Sequence, residues 1–284
     1  MEPSHKIETT YSAAFSAQNY ISKINPDEYN PRGSSVNNYA CKEEPNIRYR
    51  PYMEDASKLI DSYVGDPNQG YFAVFDGHGG SEAVDYCKAR MHEELRKCIQ
   101  EFPDDIPRAF TRCFQKVDDQ LRLTGAITSG TTATVSFLRK EGHQKVLYLA
   151  NVGDSKAVLI STSGCEQLSY DHKGTDQGEI DRIVSGGGIL MRGRVAGQLA
   201  VTRALGDHHL KTSGVSNIPH VIRKVITPND ICLVLASDGI WDTVEHSTLR
   251  VNKGRSSLDI AGELLQKAIS SGSQDNICVV TVCL

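Results

Sequence analysis

The sequence predicts a mixed α/β domain with antiparallel sheets at its centre and helices on the outside. Three observations carry this prediction. Apolar runs of five or six residues bounded by turn formers recur along the chain (Tyr71–Phe75, Val146–Ala150, Ile231–Ala236 and Ile277–Val282), and such runs read as buried strands. Three strand candidates, Thr131–Leu138, Lys145–Asn151 and Lys156–Ile160, follow one another across short glycine-containing turns, which favours hairpins over parallel crossovers. Elsewhere apolar residues recur at helical spacing and mark helices with one face to bury. A length of 284 residues suffices for one large core.

In chain order, residues 1–36 are rich in Ser, Asn, Thr and Tyr with weak periodicity. They are set apart as an N-terminal extension, either a flexible tail or an appended helix, and residues 37–284 form the domain. Ser81 can cap a helix whose Ala83, Cys87, Met91, Leu95 and Cys98 share one stripe. A second helix carries Ile106, Phe110, Phe114, Val117 and Leu121, and the three consecutive strands follow it. Glu179 to Val184 predicts one short helix ended by Gly186–Gly188, and Ile189 to Ala204 reads as short strands with glycine turns. Leu258, Ala261, Leu265, Ala268 and Ile269 mark a last helix before the terminal strand.

Composition excludes several functions. A net charge of −4 argues against a nucleic-acid partner, though bound cations could still bring in an anionic substrate. Nothing approaches the eighteen apolar residues of a membrane span. The N-terminal Met1-Glu-Pro-Ser-His-Lys lacks a secretory signal and a myristoylation glycine. The eight cysteines are scattered without a CxxC pair, which fits reduced, mostly buried thiols in a cytoplasmic or nuclear protein.

Four aspartates sit beside the four apolar runs: Asp76 in DGHGG, Asp154 in GDS, Asp238 in SDGIWD and Asp275 in SQDN. An Asp-Gly pair alone is mostly a turn signal. Four acids at strand ends can instead converge on one sheet edge, where mutual repulsion calls for cations between them. Oxygen donors with few histidines select Mg²⁺ or Mn²⁺ over zinc. Glycine after Asp76 suits a close approach to metal, with the Gly77 carbonyl as a further oxygen ligand. Glu54 and Asp55 are either an exposed charge cluster or holders of metal-bound waters. Arg50, four residues before Glu54, could then take a phosphate bidentately. His78 could protonate an alkoxide leaving group.

These motifs resemble those of the type 2C, metal-dependent serine/threonine protein phosphatases. The matching stretches stand in family order: RPYMEDA (Arg50–Ala56), FAVFDGHGG (Phe72–Gly80), SGTTATV (Ser129–Val135) and LYLANVGDSKAVL (Leu147–Leu159), then YDHKGTDQGEIDRIVSGGG (Tyr170–Gly188), RVAGQLAVTRALGD (Arg194–Asp207), LASDGIWD (Leu235–Asp242) and SQDNICVV (Ser273–Val280). The resemblance covers about residues 40 to 284. It implies a four-layer αββα sandwich, two antiparallel sheets flanked by helices, with a binuclear Mn²⁺/Mg²⁺ centre at one end. By motif, Asp76 would bridge the metals, Asp238 and Asp275 would ligate one of them, the Gly77 carbonyl would serve the other, and Glu54 would act through water. Asp154 matches the position of a third, weaker metal, with Asp242 nearby. Arg50 matches the phosphate-binding arginine and His78 the general acid. The implied reaction is direct attack on phosphoserine or phosphothreonine by a water or hydroxide bridging two cations, in a monomer acting on phosphoproteins in signalling.

The sequence departs from the family pattern in three places. Gly174 stands where proline often follows DHK, the expected substrate-facing flap from His208 to Ile218 is brief, and Val244 to Ser257 leaves little room for a usual outer helix. A non-catalytic scaffold of the same fold is the alternative, opposed by the presence of Arg50, Asp76, Asp238 and Asp275. The lack of GxxxxGK[ST], HRD and DFG strings argues against a kinase or ATPase. No cysteine precedes the glycine-rich, arginine-ended loop of a tyrosine phosphatase.

Overall fold

In the computed structural model of the chain, residues 29–30 and 32–284 are described. The chain opens with β1 (Tyr29–Asn30), β2 (Asn38–Glu44), β3 (Asp55–Asp61) and β4 (Gly70–His78), then the long helices α1 (Glu82–Glu101) and α2 (Ile106–Leu123). Strands β5 (Gly130–Thr131), β6 (Ala133–Glu141), β7 (Gln144–Val152), β8 (Lys156–Ser161) and β9 (Gly164–Gln167) follow. Next come α3 (Gln177–Ser185), β10 (Leu190–Met191), β11 (Arg194–Val195) and β12 (Leu205–Gly206). The chain closes with β13 (His220–Ile226), β14 (Asp230–Ala236), α4 (Asp238–Trp241), α5 (Ser257–Ser270) and β15 (Ile277–Cys283).

Two antiparallel sheets stack face to face. One has the order β1-β2-β15-β14-β8-β9; the other runs β12-β5-β4-β6-β7-β13 with β3 also paired to β4. Phe72, Val74, Leu138, Leu147 and Leu149 of the second sheet meet Leu159, Leu233, Leu235 and Val280 of the first in a shared core. Alternate residues of β4 (Tyr71, Ala73 and Phe75) point the other way and pack with α1 and α2. Val234, Ala236 and Val279 likewise pack against α5. The result is a four-layer αββα sandwich. Because both faces of each central strand are covered, the strands read as unbroken apolar runs rather than alternating ones.

The predicted stripes of α1 and α2 are fully buried. Asp105 caps α2 by accepting from the Arg108 amide at 3.0 Å. Ser81 precedes α1, but its side chain makes no capping bond, and acidic Glu82 and Asp85 occupy the first turn instead. On α5 the inward positions include Ile260 and Leu264, whereas the predicted stripe member Ile269 is exposed. Val251–Gly254 lies outside helix and strand, as expected.

Of the expected N-terminal extension, Tyr29 and Asn30 pair with β2, and Ser35 and Val36 are buried against the sandwich. The rest of that expectation, residues 1–28, lies outside the described residues. All eight cysteines are free thiols, and Cys165 is the one partly exposed.

Candidate metal centre and active site

Antiparallel pairing brings distant acids together. β14 ends at Ala236 where β15 begins, with Ala236 opposite Val279, so Asp238 and Asp275 emerge at one edge of the first sheet. In the second sheet, Asp55 opening β3 faces Asp76 near the end of β4. The link from β7 to β8 passes from one sheet to the other and carries Asp154. Asp55, Asp76, Asp154, Asp238 and Asp275 therefore line one cleft of about 420 Å³, together with Arg50, Glu54, Gly77 and His78. Asp242 is not among its lining residues; it is exposed and borders the adjoining hollow beside Tyr49 and Arg50.

The cleft is electrostatically strained. Burial, reinforced by Asp55, Asp238, Asp154 and Asp275, drives the Asp76 carboxyl well above the usual carboxylate range. Burial pushes Asp55 up to about 8 although Ser237 Oγ donates to its Oδ2 at 2.6 Å; Asp238, Asp275 and Glu43 add to the push. Asp238 rises to about 7 through burial and then Asp154, Asp275 and Asp242, with Lys173 opposing. Carboxyls this reluctant to ionise side by side form a donor set short of positive charge. Carboxylate and carbonyl oxygens are the ligands that hard divalent cations prefer.

The remaining predicted residues have definite partners. Arg50 forms an ion pair with Asp275, so the expected phosphate-binding arginine lies against an expected metal ligand. Glu54 Oε1 accepts from the Gly80 amide at 3.0 Å, and the Glu54 carbonyl accepts from the Gly77 amide at 2.9 Å. Only glycine fits at position 77, because a Cβ there would lie 2.5 Å from that same carbonyl oxygen. His78 Nε2 lies 2.7 Å from Asp207 Oδ2.

Three residues with evident roles in shaping the site carried no role in the sequence reading. Asp207, buried and in a left-handed conformation, holds His78; a Cβ on Gly130 would meet its Oδ2 at 2.1 Å, which accounts for the glycine of SGTT. Lys173 pairs with Asp154 at 3.1 Å and approaches Asp242 at 4.0 Å. Asn276 accepts from the Glu54 amide at 2.9 Å and donates to the carbonyls of Pro45 at 2.7 Å and Tyr52 at 3.0 Å, fastening the Arg50–Glu54 segment to β15. Placement of the flap also differs from expectation. The cleft is lined from this part of the chain by Arg194 and Gln198–Val201, whereas His208–Ser213 forms a 3₁₀ turn bound to Asp118 and Ile127.

The sequence profile of the family described as Protein phosphatase 2C matches residues 40–277. A Saccharomyces cerevisiae protein named Protein phosphatase 2C homolog 1 is 34% identical over 258 residues, covering 85% of this chain and 92% of the relative. Its Schizosaccharomyces pombe namesake is 35% identical over 262 residues, covering 89% of this chain and 75% of the relative. Among solved structures, the serine-threonine phosphatase 2C of Toxoplasma gondii superposes with a TM-score of 0.72 over 87% of this chain and 94% of that one, at 21% identity, a likeness of fold.

Proposed function

The chain belongs to the protein phosphatase 2C family, and on that premise we propose that its acidic cleft hydrolyses phosphoserine and phosphothreonine in proteins with Mn²⁺ or Mg²⁺. Two cations would be held by Asp76, Asp238, Asp275 and the Gly77 carbonyl, with Glu54 and Asp55 reaching them through water. A third, weaker site would use Asp154 and Asp242. When bound, the cations supply an activated water and offset charge on the phosphoryl group. The observation that carries this reading is the convergence of Asp55, Asp76, Asp238 and Asp275 on one cleft, where burial and mutual repulsion raise three of them.

The chain's own residues do the rest. Arg50, held beside the cleft through Asp275, offers a planar guanidinium for two phosphoryl oxygens once that carboxylate is occupied by a cation. Asp207 fixes the His78 ring through Nε2, which leaves Nδ1 to deliver a proton to the departing serine or threonine oxygen. Asn276 keeps Arg50 and Glu54 in register with Asp275.

Purified protein should hydrolyse a phosphothreonine peptide with Mn²⁺ or Mg²⁺ and stop in EDTA. Asp207→Asn should lower kcat by about 10–100-fold with little change in KM, a share of the ~10²–10⁴ that acid–base catalysis supplies. Folded, metal-loaded protein that turns over no phosphopeptide would sink the proposal and favour a scaffold.

A further inference from the structure

Between the sheets, beyond Asp55, three donors of a different chemical kind meet. Cys41 and Glu43 stand on β2 and Cys278 on β15, and one ligand atom from each lies within 4.8 Å of the others. The register makes this possible: Glu43 is opposite Cys278 and Cys41 is opposite Val280, so the three side chains share a face of the sheet. Glu43 Oε1 is 3.9 Å from Cys41 Sγ and 3.8 Å from Cys278 Sγ. Across from them, Ser57 of β3 donates to Glu43 Oε1 at 3.0 Å and lies 3.1 Å from Cys41 Sγ. Both thiols are buried while Glu43 is exposed, which leaves a polar entry.

Around a tetrahedral zinc-like ion with sulfur at ~2.3 Å and oxygen at ~2.1 Å, neighbouring ligand atoms stand about 3.6–3.8 Å apart. The sulfur–oxygen spacings here nearly match that edge without any ion to set them. Thiolates select soft and borderline cations, the reverse of the all-oxygen cleft. We propose that Cys41, Cys278 and Glu43 bind one thiophilic divalent cation of the zinc class, at a site distinct from the hard-cation centre. Binding forms two metal–sulfur bonds and releases the two thiol protons to solvent, while the carboxylate and either Ser57 or a water complete the shell. The Cys278 amide donates to Ser237 Oγ at 3.1 Å, and that hydroxyl donates to Asp55, so one short chain of hydrogen bonds joins this site to the acidic cleft.

The test is titration of the Mn²⁺-loaded protein with Co²⁺, following thiolate-to-cobalt charge-transfer absorption, which oxygen ligands do not give. One equivalent should develop the band and Zn²⁺ should displace it. Cys41→Ser should abolish it and Asp238→Ala should retain it. Glu43→Gln, a change at an exposed side chain that tolerates it, should weaken Co²⁺ binding at least about tenfold, the loss that even an outer partner of a ligand causes. No band in the folded protein, or a band that survives Cys41→Ser or is undiminished in Glu43→Gln, would overturn the proposal.

Discussion

Glu179 and the acidic cleft are both carboxylates removed from water, yet they are driven to opposite ends of the titration scale. Burial would raise Glu179, but Arg203, Arg182 and Thr202 hydrogen-bond to it and hold it at about 2. Arg203 and Arg182 reach it as ion pairs, and Thr202 Oγ1 donates at 2.6 Å. That cluster joins α3 to Thr202, the residue that follows the cleft-lining Leu199–Val201 and does not itself line the cleft. At the cleft the acids outnumber their partners: Arg50 pairs with Asp275 and Lys173 with Asp154, while Asp76 and Asp238 carry no ion pair among the described residues. A buried charge paired within the protein serves the architecture. A group of buried acids left short of cations costs stability and is poised to receive them from outside.

The sharpest way to break this contrast is Asp238→Ala. With Mn²⁺ it should cut turnover by about 10³-fold or more, the several kcal/mol of charge stabilisation a bound cation supplies. In EDTA the same variant should be as stable as the parent or more so, since one repelling acid is gone; a Tm rise of roughly 2–4 °C per kcal/mol would register it. A marked fall in metal-free Tm would show that the cleft is internally satisfied and would remove the contrast.

Glu179→Ala should behave oppositely. It leaves two arginines facing a buried gap, and breaking a buried pair costs about 3–5 kcal/mol. Denaturant unfolding should show this loss at every metal concentration, and a change under about 1 kcal/mol would place Glu179 with ordinary surface pairs.

The smallest expected effect is a slope with pH. Asp55, Asp76 and Asp238 have folded-state pKa values above the unfolded one, so the folded protein keeps protons that the unfolded chain has lost. Their contribution to metal-free stability should be fully present near pH 4 and decline as pH rises through about 7 for Asp238 and about 8 for Asp55, against the opposite slope of the buried His172, lowered to about 4. Saturating Mn²⁺ should remove the decline, because the cation replaces those protons. In EDTA melts the Asp238→Ala variant should gain stability relative to the parent as pH rises through this window, and a relative gain that shrinks with pH would contradict the direction of the Asp238 shift.

Much of the fold was legible because its signals are local. The runs Tyr71–Phe75 and Ile231–Ala236 had to be strands buried on both faces, and the stripes of α1 and α2 fixed which sides those helices buried. Ile269 was misplaced because an apolar residue one step beyond the stripe looks no different in sequence from one inside it. The acids of the cleft were legible because each follows or precedes an apolar run, and Asp-Gly punctuation repeats beside them. Asp207 was not, since its meaning lies in His78, 129 residues away, and in the glycine that leaves room for both.

The sequence by itself determined the buried antiparallel strands, the outer helices, the set of acids and the oxygen-donor chemistry, because periodicity and residue type act over a few neighbouring positions. Only the tertiary structure decided which charges are answered. It paired Glu179 with Arg203 and left Asp76 without an ion-pair partner among the described residues; it set Lys173 on Asp154, laid Arg194 and Gln198–Val201 along the cleft, and gathered Cys41, Glu43 and Cys278 from two strands. Electrostatic satisfaction depends on distances of a few ångströms between residues far apart in the chain, and those distances exist only once the sheets have stacked.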